Sequence, residues 1–189
     1  MMLLEQGNAV AAISVQKGMP WLGADRDDQR LYAELPRPQF TKLRLDLALN
    51  RALAFGALQG SWQSTLGAQG SHDILPSVEL LDLADSSAVR GFTVNSLASR
   101  TAWYWRNTVS LRLPGPGGSI WLPRIGMDGG RALLPVAGRN WQSLAGATAG
   151  ASLVWHTAQL DLDYSRPLSS PQGLASEPRV VLVRMQLRY

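Results

Sequence analysis

Between residues 102 and 113, polar and apolar side chains alternate almost without interruption. The even positions carry Tyr104, Arg106, Thr108, Ser110 and Arg112. The odd positions carry Trp103, Trp105, Val109, Leu111 and Leu113, with Asn107 as the one exception. Successive side chains of a β-strand point to opposite faces of its sheet, so the pattern predicts a strand with one polar and one apolar face. A tilted strand of about ten residues is also long enough to cross a bilayer.

Similar alternation predicts eight strands in all. They are residues 8–17, 39–50, 54–66, 102–113, 119–128, 144–155, 158–166 and 179–189. Short connections at 51–53, 114–118 and 156–157 alternate with long ones at 18–38, 67–101, 129–143 and 167–178. Strands joined in this way predict an all-β fold, an antiparallel up-and-down barrel. The alternation of short and long connections is typical of a transmembrane β-barrel.

A soluble β-sandwich or barrel is the alternative, because an apolar core face and a hydrated polar face would give the same alternation. Two features favour the membrane. Charged residues make up only 17% of the chain, which is below the roughly 25% of an ordinary soluble domain. Aromatic residues near the predicted strand ends are typical of interfacial girdles. They are Trp62, Trp103, Trp105, Trp155 and Tyr189.

The charge distribution and the start of the chain exclude several other classes. The chain has 18 Lys and Arg against 14 Asp and Glu, a net charge of +4, but the cations are dispersed. A nucleic-acid surface needs clustered Lys and Arg, so we expect no nucleic-acid partner. The chain has no Cys and no run of 18 apolar residues that would predict a transmembrane helix. Its first residues lack the features of a signal peptide, which implies either a fragment of an exported protein or a soluble fold.

The sequence offers no convergent set of catalytic or metal-binding side chains. His72 and Asp73 are neighbours in a predicted loop, and His156 lies in a predicted tight turn. A catalytic triad or a metal site needs further partners, and the chain has neither Cys ligands nor a nucleophile motif. The Gly-rich stretch 114–118 lacks the Lys-Ser/Thr pair of a phosphate-binding loop. We therefore predict a protein that is not an enzyme and that uses no metal or other cofactor.

Four motifs in a fixed order give the chain a specific resemblance. The loop before the 102–113 strand contains Val89, Arg90, Gly91 and Phe92. The strand itself is rich in aromatic residues, and residues 124–130 spell Arg-Ile-Gly-Met-Asp-Gly-Gly. Residues 160–168 end in Arg-Pro-Leu. In this order the motifs resemble those of the ShlB/FhaC/HecB family, the outer-membrane transporters of two-partner secretion, whose superfamily includes the barrel-assembly protein BamA.

The resemblance implies a sixteen-stranded barrel in the bacterial outer membrane, and residues 1–189 would correspond to its last eight strands. The family's signal peptide, plugging helix and two periplasmic domains would lie outside this chain. The implied function is passive export and activation of a hemolysin- or adhesin-like partner protein, which passes as an unfolded polypeptide. Outer-membrane lipid and the barrel-assembly machinery are the other implied partners. Alternatives are a BamA-like barrel-insertion protein, an outer-membrane barrel enzyme and a soluble β-domain that binds a partner.

The resemblance also implies roles for individual residues. The loop motif would fold back into the lumen, where Arg90 would pair with Asp128 on the barrel wall. Further basic residues are candidates for lining the lumen: Lys42, Arg44, Arg106, Arg112, Arg124, Arg184 and Arg188. The last strand would carry a signal for the assembly machinery: Met185, Leu187 and Tyr189. Ala84-Asp85 departs from the family, whose members usually carry Gly-Gly at this point before the loop motif.

Overall fold

The computed structural model describes residues 7–23, 27, 35–134, 140–171, 174 and 178–187. Their strands are β1 (Gly7–Lys17), β2 (Thr41–Phe55), β3 (Leu58–Gly70), β4 (Leu81–Asp82), β5 (Ala98–Ser99), β6 (Ala102–Pro114), β7 (Ile120–Leu134), β8 (Asn140–Trp155), β9 (Ala158–Ser169) and β10 (Val180–Leu187). Short 3-10 helices lie at Ser77–Glu79 and Pro116–Gly118. Among these residues, no helix has the length and apolar character needed to span a membrane.

Eight of the strands form one antiparallel sheet in the order β1-β2-β3-β6-β7-β8-β9-β10. Each strand pairs with the next strand of that sheet along the chain, while β4 and β5 form a separate two-stranded ribbon. The prediction of eight antiparallel strands in up-and-down order is therefore confirmed. In the described part of the chain, β1 and β10 are the two edges of the sheet, which is not closed.

Short turns join the strands at one end of the sheet, which we call the turn end. They connect β2 to β3, β6 to β7 and β8 to β9. The Pro-Gly stretch between β6 and β7 turns tightly because Gly117 and Gly118 have φ values of 63° and 75°, which residues with a Cβ rarely adopt. The longer connections lie at the opposite end, which we call the loop end.

One predicted short connection is wrong. Residues 51–53 belong to β2, which continues to Phe55 in register with β3. The turn forms instead at Gly56, where φ is 63°. Glycine adopts this conformation without the steric cost that other residues incur, so the chain reverses at Gly56 rather than at residues 51–53.

The predicted loop at 129–143 is also wrong at both ends. Strand β7 runs on to Leu134 and β8 begins at Asn140, and their pairing continues without a break between these limits. Residues 135–139 lie outside the described residues. A Cβ at Gly130 would lie 2.8 Å from the backbone oxygen of Trp103. Glycine therefore serves close packing here and not a turn.

The sheet buries polar side chains on one face and exposes apolar side chains on the other. We call the face that residues 71–101 cover the inner face, and the opposite one the outer face. Polar side chains buried on the inner face are Lys42, Gln69, Asp128, Thr148, Ser152, Asp161 and Ser165. On the outer face, Ile125 and Met127 are 66% and 65% exposed. A soluble sandwich would bury such apolar residues against a second sheet, so this arrangement fits contact with hydrocarbon.

Tryptophans lie at both ends of the outer face. Trp121 and Trp155 lie at the turn end, as the second residue of β7 and the last residue of β8. Trp103 and Trp141 lie at the loop end, each as the second residue of its strand. The Arg131 guanidinium lies 5.7 Å from the centroid of the Trp141 ring. Two such groups of tryptophans are typical of the two interfaces of a membrane.

Two polar side chains lie directly opposite each other on the outer face, away from the strand ends: Ser64 of β3 and Asn107 of β6. Trp62 Nε1 donates to Asn107 Oδ1 at 3.2 Å, and Trp105 Nε1 donates to Ser64 Oγ at 2.8 Å. Trp62 and Trp105, which were predicted near strand ends, thus lie further inside their strands and beside polar groups. An unsatisfied polar group in hydrocarbon costs several kcal/mol, and the two indoles remove that cost.

Candidate functional site

Residues 71–101 connect β3 to β6 and fold back over the inner face of the sheet. The 3-10 helix at Ser77–Glu79 lies near their start, and the ribbon of β4 and β5 then closes them into a loop. We call residues 83–97, which lie between the two ribbon strands, the inner loop. The sequence predicted a connection here but gave none of its internal structure.

Asp82 ties the two ends of the inner loop together. Its Oδ1 accepts hydrogen bonds of 2.9 Å from the backbone amides of Ala84 and Leu97. Its Oδ2 accepts a hydrogen bond of 2.7 Å from the Ser96 hydroxyl. Asp82 was not among the residues predicted from the sequence. The available signal was local, because Asp side chains often accept a hydrogen bond from the amide two residues further on.

The inner loop packs through apolar side chains against the inner face of the sheet, which we call the wall. The buried side chains of the loop are Leu83, Ala84, Ala88, Val89, Phe92 and Leu97, and those of the sheet are Ala102, Tyr104, Ala132 and Leu144. Leu83 and Val89 are 0% exposed and Phe92 is 1% exposed. Burying a side chain of this size contributes about 1.5–3 kcal/mol. Apolar packing therefore holds the loop on a face that is polar elsewhere.

Arg90 leaves this core and binds Asp128 of β7. Its Nε and Nη2 donate to Oδ2 and Oδ1 of Asp128, each at 2.6 Å, and its backbone amide donates to Oδ2 at 3.1 Å. Its Nη2 also donates to the backbone oxygen of Asn107 at 2.9 Å. The Asp128 side chain is 0% exposed and that of Arg90 is 12% exposed. This bidentate, shielded geometry is the strong form of an Arg–carboxylate pair, and it joins the two residues that the resemblance implied would pair.

The wall carries glycine where Arg90 lies against it. A Cβ at Gly126 would overlap the Arg90 guanidinium, and a Cβ at Gly146 would overlap the Arg90 backbone oxygen. Gly146 is the direct pairing partner of Asp128 across β7 and β8. The space that the loop occupies is therefore made partly by missing side chains. Gly146 was not among the residues predicted from the sequence.

Gly91 lets the loop approach β9. Its φ is +97°, and a Cβ there would lie 2.6 Å from the carbonyl carbon of Arg166. Strand β9 carries a β-bulge at this level, between its pairings with Ala145 and Gly146. A bulge bends the strand locally. Every residue of the loop motif thus has a contact. Val89 and Phe92 pack in the hydrophobic core, Arg90 forms the ion pair and Gly91 lies against the bulge.

Ala84-Asp85 replaces the family's glycine pair without strain. The described non-glycine residues with positive φ are Leu22 and His156, so neither residue of this pair needs a glycine conformation. Asp85 Oδ1 accepts a hydrogen bond of 2.6 Å from the Ser87 amide. This bond from the Ser87 amide is the main cause that lowers the pKa of Asp85. In this chain, a turn that the Asp85 side chain stabilises takes the place of the family's glycine pair.

Two of the basic residues predicted to line the lumen contact the segment that covers the wall. Lys42 Nζ donates to Glu79 Oε2 at 2.7 Å and to the Glu79 backbone oxygen at 3.1 Å. Arg106 Nη1 donates to the backbone oxygen of Ser86 at 2.7 Å. Arg112 lies exposed near the turn end of β6. Their role in lining a passage stays a prediction.

Two more of these residues pair with acids of the wall itself. Arg44 Nε and Nη2 donate to Asp46 on the same strand at 2.8 and 3.0 Å. Arg124 of β7 reaches over β8 to Asp163 of β9, with bonds of 2.7 and 2.6 Å. Gly150 of β8 lies between them, and a Cβ there would overlap the Asp163 carboxylate. The wall thus has ion pairs of its own besides those with the loop.

The predicted assembly signal lies on the edge strand β10. Met185 and Leu187 are exposed on its outer face, at 66% and 65%. Tyr189 and Arg188 lie outside the described residues, so the structure does not test the terminal aromatic. Arg184 of the same strand lines the inner side.

A cavity of 420 Å³ remains beside the tip of the inner loop. Its lining includes Arg90, Arg106, Arg124, Asp163 and Arg184. In the part of the chain that the structure describes, no group of three or more His, Cys, Asp or Glu could hold a metal ion. The chemistry that this arrangement offers is electrostatic, because its ion pairs can hold a loop on the wall or release it.

Known proteins share this sequence pattern. The family model for the haemolysin secretion/activation protein ShlB/FhaC/HecB matches residues 1–153. The hemolysin transporter protein ShlB of Serratia marcescens is 36% identical over 188 residues, which cover 99% of this chain and 33% of that protein. The hemolysin transporter protein HpmB of Proteus mirabilis is 31% identical over 164 residues, which cover 87% of this chain and 29% of that protein.

A solved structure shares the fold. CdiB from Escherichia coli matches with a TM-score of 0.84 and 28% identity, over 96% of this chain and 33% of that chain. The open eight-stranded sheet is therefore similar to a part of the CdiB barrel. The chain spans about a third of the length of the relatives that it matches. Because the family model matches residues 1–153 of 189, this chain belongs to the haemolysin secretion/activation protein family ShlB/FhaC/HecB.

Proposed function

We propose that this chain forms part of an outer-membrane pore of two-partner secretion, which exports and activates a hemolysin- or adhesin-like partner protein. The observation that carries the proposal is the inner loop. It is held on a polar wall by the shielded Arg90–Asp128 pair, while the other face of the same sheet is apolar. The relatives ShlB and HpmB are described as hemolysin transporters, which supports the same function.

The proposed location is the bacterial outer membrane, with lipid against the outer face. Strands β2, β6, β7 and β8 have 15, 13, 15 and 16 residues, which is more than the roughly ten that a tilted strand needs to cross a bilayer. The edges of the sheet would leave backbone groups unpaired in lipid, at a cost of several kcal/mol for each group. We propose that further strands of a sixteen-stranded barrel pair with β1 and β10.

The proposed transport is passive. An extended polypeptide passes along the inner face, where charged side chains keep the passage hydrated, and no covalent bond is made or broken. This role is not enzymatic and needs neither a nucleotide nor a metal. The inner loop occupies part of the passage, so it must move or change shape while the cargo passes. Such a movement must either break the Arg90–Asp128 pair or move Asp128 of β7 together with the loop.

Two partners belong to the proposal besides lipid. One is the secreted protein, which contacts the inner face in an unfolded form. The other is the barrel-assembly machinery, which would bind the last strand through Met185, Leu187 and Tyr189. The first two of these side chains lie exposed at the edge of the sheet, where an assembly factor can reach them.

A hybrid transporter tests the function directly. In it, this chain replaces the matching third of the Serratia marcescens hemolysin transporter, which keeps the rest of the barrel and the remaining domains of that protein. We expect bacteria that carry the hybrid and the cognate hemolysin to release hemolytic activity into the medium. Erythrocyte lysis by the culture supernatant measures the release.

Two controls give the hybrid experiment its meaning. The intact Serratia marcescens transporter sets the full level of release, and the hybrid with Arg90→Asp should release little. Outer-membrane fractions establish assembly through the heat-dependent shift of a folded barrel on a gel. A hybrid that assembles normally but releases no hemolysin would contradict the proposed function.

A further inference from the structure

We propose that Lys42, with Gln69, is a second anchor of residues 71–101, which we call the loop segment. It holds the start of that segment on the wall independently of the Arg90–Asp128 pair, and thereby limits how far the pore can open. The inference rests on the proposed function, because it assigns a positioning residue to that same pore. It also gives Lys42 a different role from that of a cation that lines a passage.

One residue of the loop segment receives three hydrogen bonds from the wall. Lys42 Nζ donates to Glu79 Oε2 at 2.7 Å and to the Glu79 backbone oxygen at 3.1 Å. Gln69 Nε2 donates to the same backbone oxygen at 2.8 Å. Lys42 lies on β2 and Gln69 on the neighbouring strand β3. Two strands thus bind the last residue of the 3-10 helix at Ser77–Glu79.

The burial of Lys42 distinguishes it from the other cations of the wall. Its side chain is 6% exposed and that of Glu79 is 32% exposed. Lysine is almost never fully buried unless it is paired. Arg44 lies two residues further along the same face of β2, yet its side chain is 40% exposed and pairs with Asp46 of its own strand. Lys42 is therefore engaged by the loop segment, and Arg44 is a matched residue that is not.

The two anchors lie on different strands and on different sides of the ribbon. Lys42 and Gln69 lie on β2 and β3, whereas Asp128 lies on β7, with β6 between the two sites. Glu79 precedes the ribbon of β4 and β5, and Arg90 follows its first strand. Loss of the Arg90–Asp128 pair therefore weakens the hold on the inner loop while the 3-10 helix stays bound. Loss of the Lys42 contact weakens the hold on Glu79, where the bond from Gln69 remains, while the tip stays bound.

The test measures ion flow through the pore without any cargo. The hybrid transporter is purified, inserted into planar lipid bilayers and recorded as Lys42→Met, with Arg44→Met as the matched control. We expect Lys42→Met to raise the ratio of open to closed time about tenfold, which corresponds to about 1.4 kcal/mol. Methionine keeps much of the length of lysine, and the Glu79 carboxylate that it leaves behind is partly hydrated. Arg44→Met should change the ratio much less than Lys42→Met does, because Arg44 pairs with Asp46 of its own strand.

Two further variants separate positioning from general destabilisation. Lys42→Arg should keep the parent's ratio, because it preserves the charge, and the exchange Lys42→Glu with Glu79→Lys should restore it at least partly. If the two anchors act independently, the double variant with Lys42→Met and Asp128→Asn should change the ratio of open to closed time by the product of the two single effects. Should Lys42→Met fail to assemble, as judged by the heat-dependent gel shift, Glu79→Gln breaks the same ion pair from the loop side.

Three results would overturn the inference: equal open times in Lys42→Met and Arg44→Met, no recovery in the charge exchange, or no added effect of Lys42→Met when Asp128→Asn is present. Failure of the proposed function would look different. In that case the hybrid would conduct ions and respond to Lys42→Met but release no hemolysin. Bilayer recording and erythrocyte lysis therefore test the two proposals separately.

Discussion

Asp128 is the direct pairing partner of Arg106 across β6 and β7, yet its carboxylate binds Arg90 of the inner loop. Arg106 donates instead to the backbone oxygen of Ser86, at 2.7 Å. The wall thus holds a second cation next to the acid that anchors the loop. A buried carboxylate that loses its partner is costly, so a neighbouring cation that can turn towards it makes release of the loop less unfavourable.

This relationship predicts coupling between the two arginines. Arg90→Gln alone should reduce hemolysin release by the hybrid only moderately, because Arg106 can take over the Asp128 carboxylate. Arg90→Gln combined with Arg106→Gln should reduce it by more than the product of the two single effects, since no cation then remains beside Asp128. A double-mutant cycle on erythrocyte lysis measures the coupling. Effects that simply multiply would show that Arg106 does not substitute for Arg90.

Charge reversal gives a stronger effect at the ion pair itself. Arg90→Asp and Asp128→Arg each place two like charges in a shielded site, where loss of one partner alone costs about 3–5 kcal/mol. Each variant should therefore impair hemolysin release severely. The combination of both should recover part of it, because the pair is restored in the opposite sense. Full release by either single variant, at normal assembly, would show that the pair is dispensable.

The wall glycines make a steric prediction. Gly146→Ala places a Cβ on the backbone oxygen of Arg90, so the loop must shift, and protease cleavage within the loop should become faster in intact cells. Gly126→Ala should also speed cleavage, because its Cβ overlaps the Arg90 guanidinium and lies 2.6 Å from the backbone oxygen of Asn107. Gly70→Ala is the matched control, since a Cβ there meets nothing within 4 Å. Equal cleavage rates in all three variants would contradict this account of the contact.

The outer face makes a prediction about stability. Trp62→Phe removes the donor to Asn107 and leaves its amide oxygen unpaired towards lipid, which should cost about 0.6–2 kcal/mol. Asn107→Leu in the same protein should recover most of that loss, because replacing both partners by apolar groups can be nearly neutral. Urea unfolding of the folded barrel in lipid vesicles measures both values. A double variant no more stable than Trp62→Phe alone would mean that the hydrogen bond is not the source of the effect.

The faces of the strands could be predicted because they depend only on alternation. The parity of Arg106, Arg124 and Asp128 placed all three on the polar face, and the structure has them on the inner face. The limits of the strands were harder to predict from the sequence, because glycine marks a turn at Gly56 but allows close packing at Gly130. Only the neighbouring strand and the loop above it distinguish these two uses.

The second anchor could not be predicted, because it depends on the path of the loop. Lys42 and Glu79 are 37 residues apart in the sequence, and no motif relates them. The same holds for Asn107, whose position on the outer face looked like a break in the pattern. Its partner Trp62 lies 45 residues earlier and reaches it only because β3 and β6 are adjacent.

Glycine has no smaller replacement, so evolution can change Gly126 or Gly146 only by adding volume beneath the loop. A relative could therefore keep all four residues of Val89–Phe92 and still have no room for them on its wall. Inspecting the wall positions together with the tetrapeptide would separate barrels able to hold the loop inside from barrels that merely retain the motif.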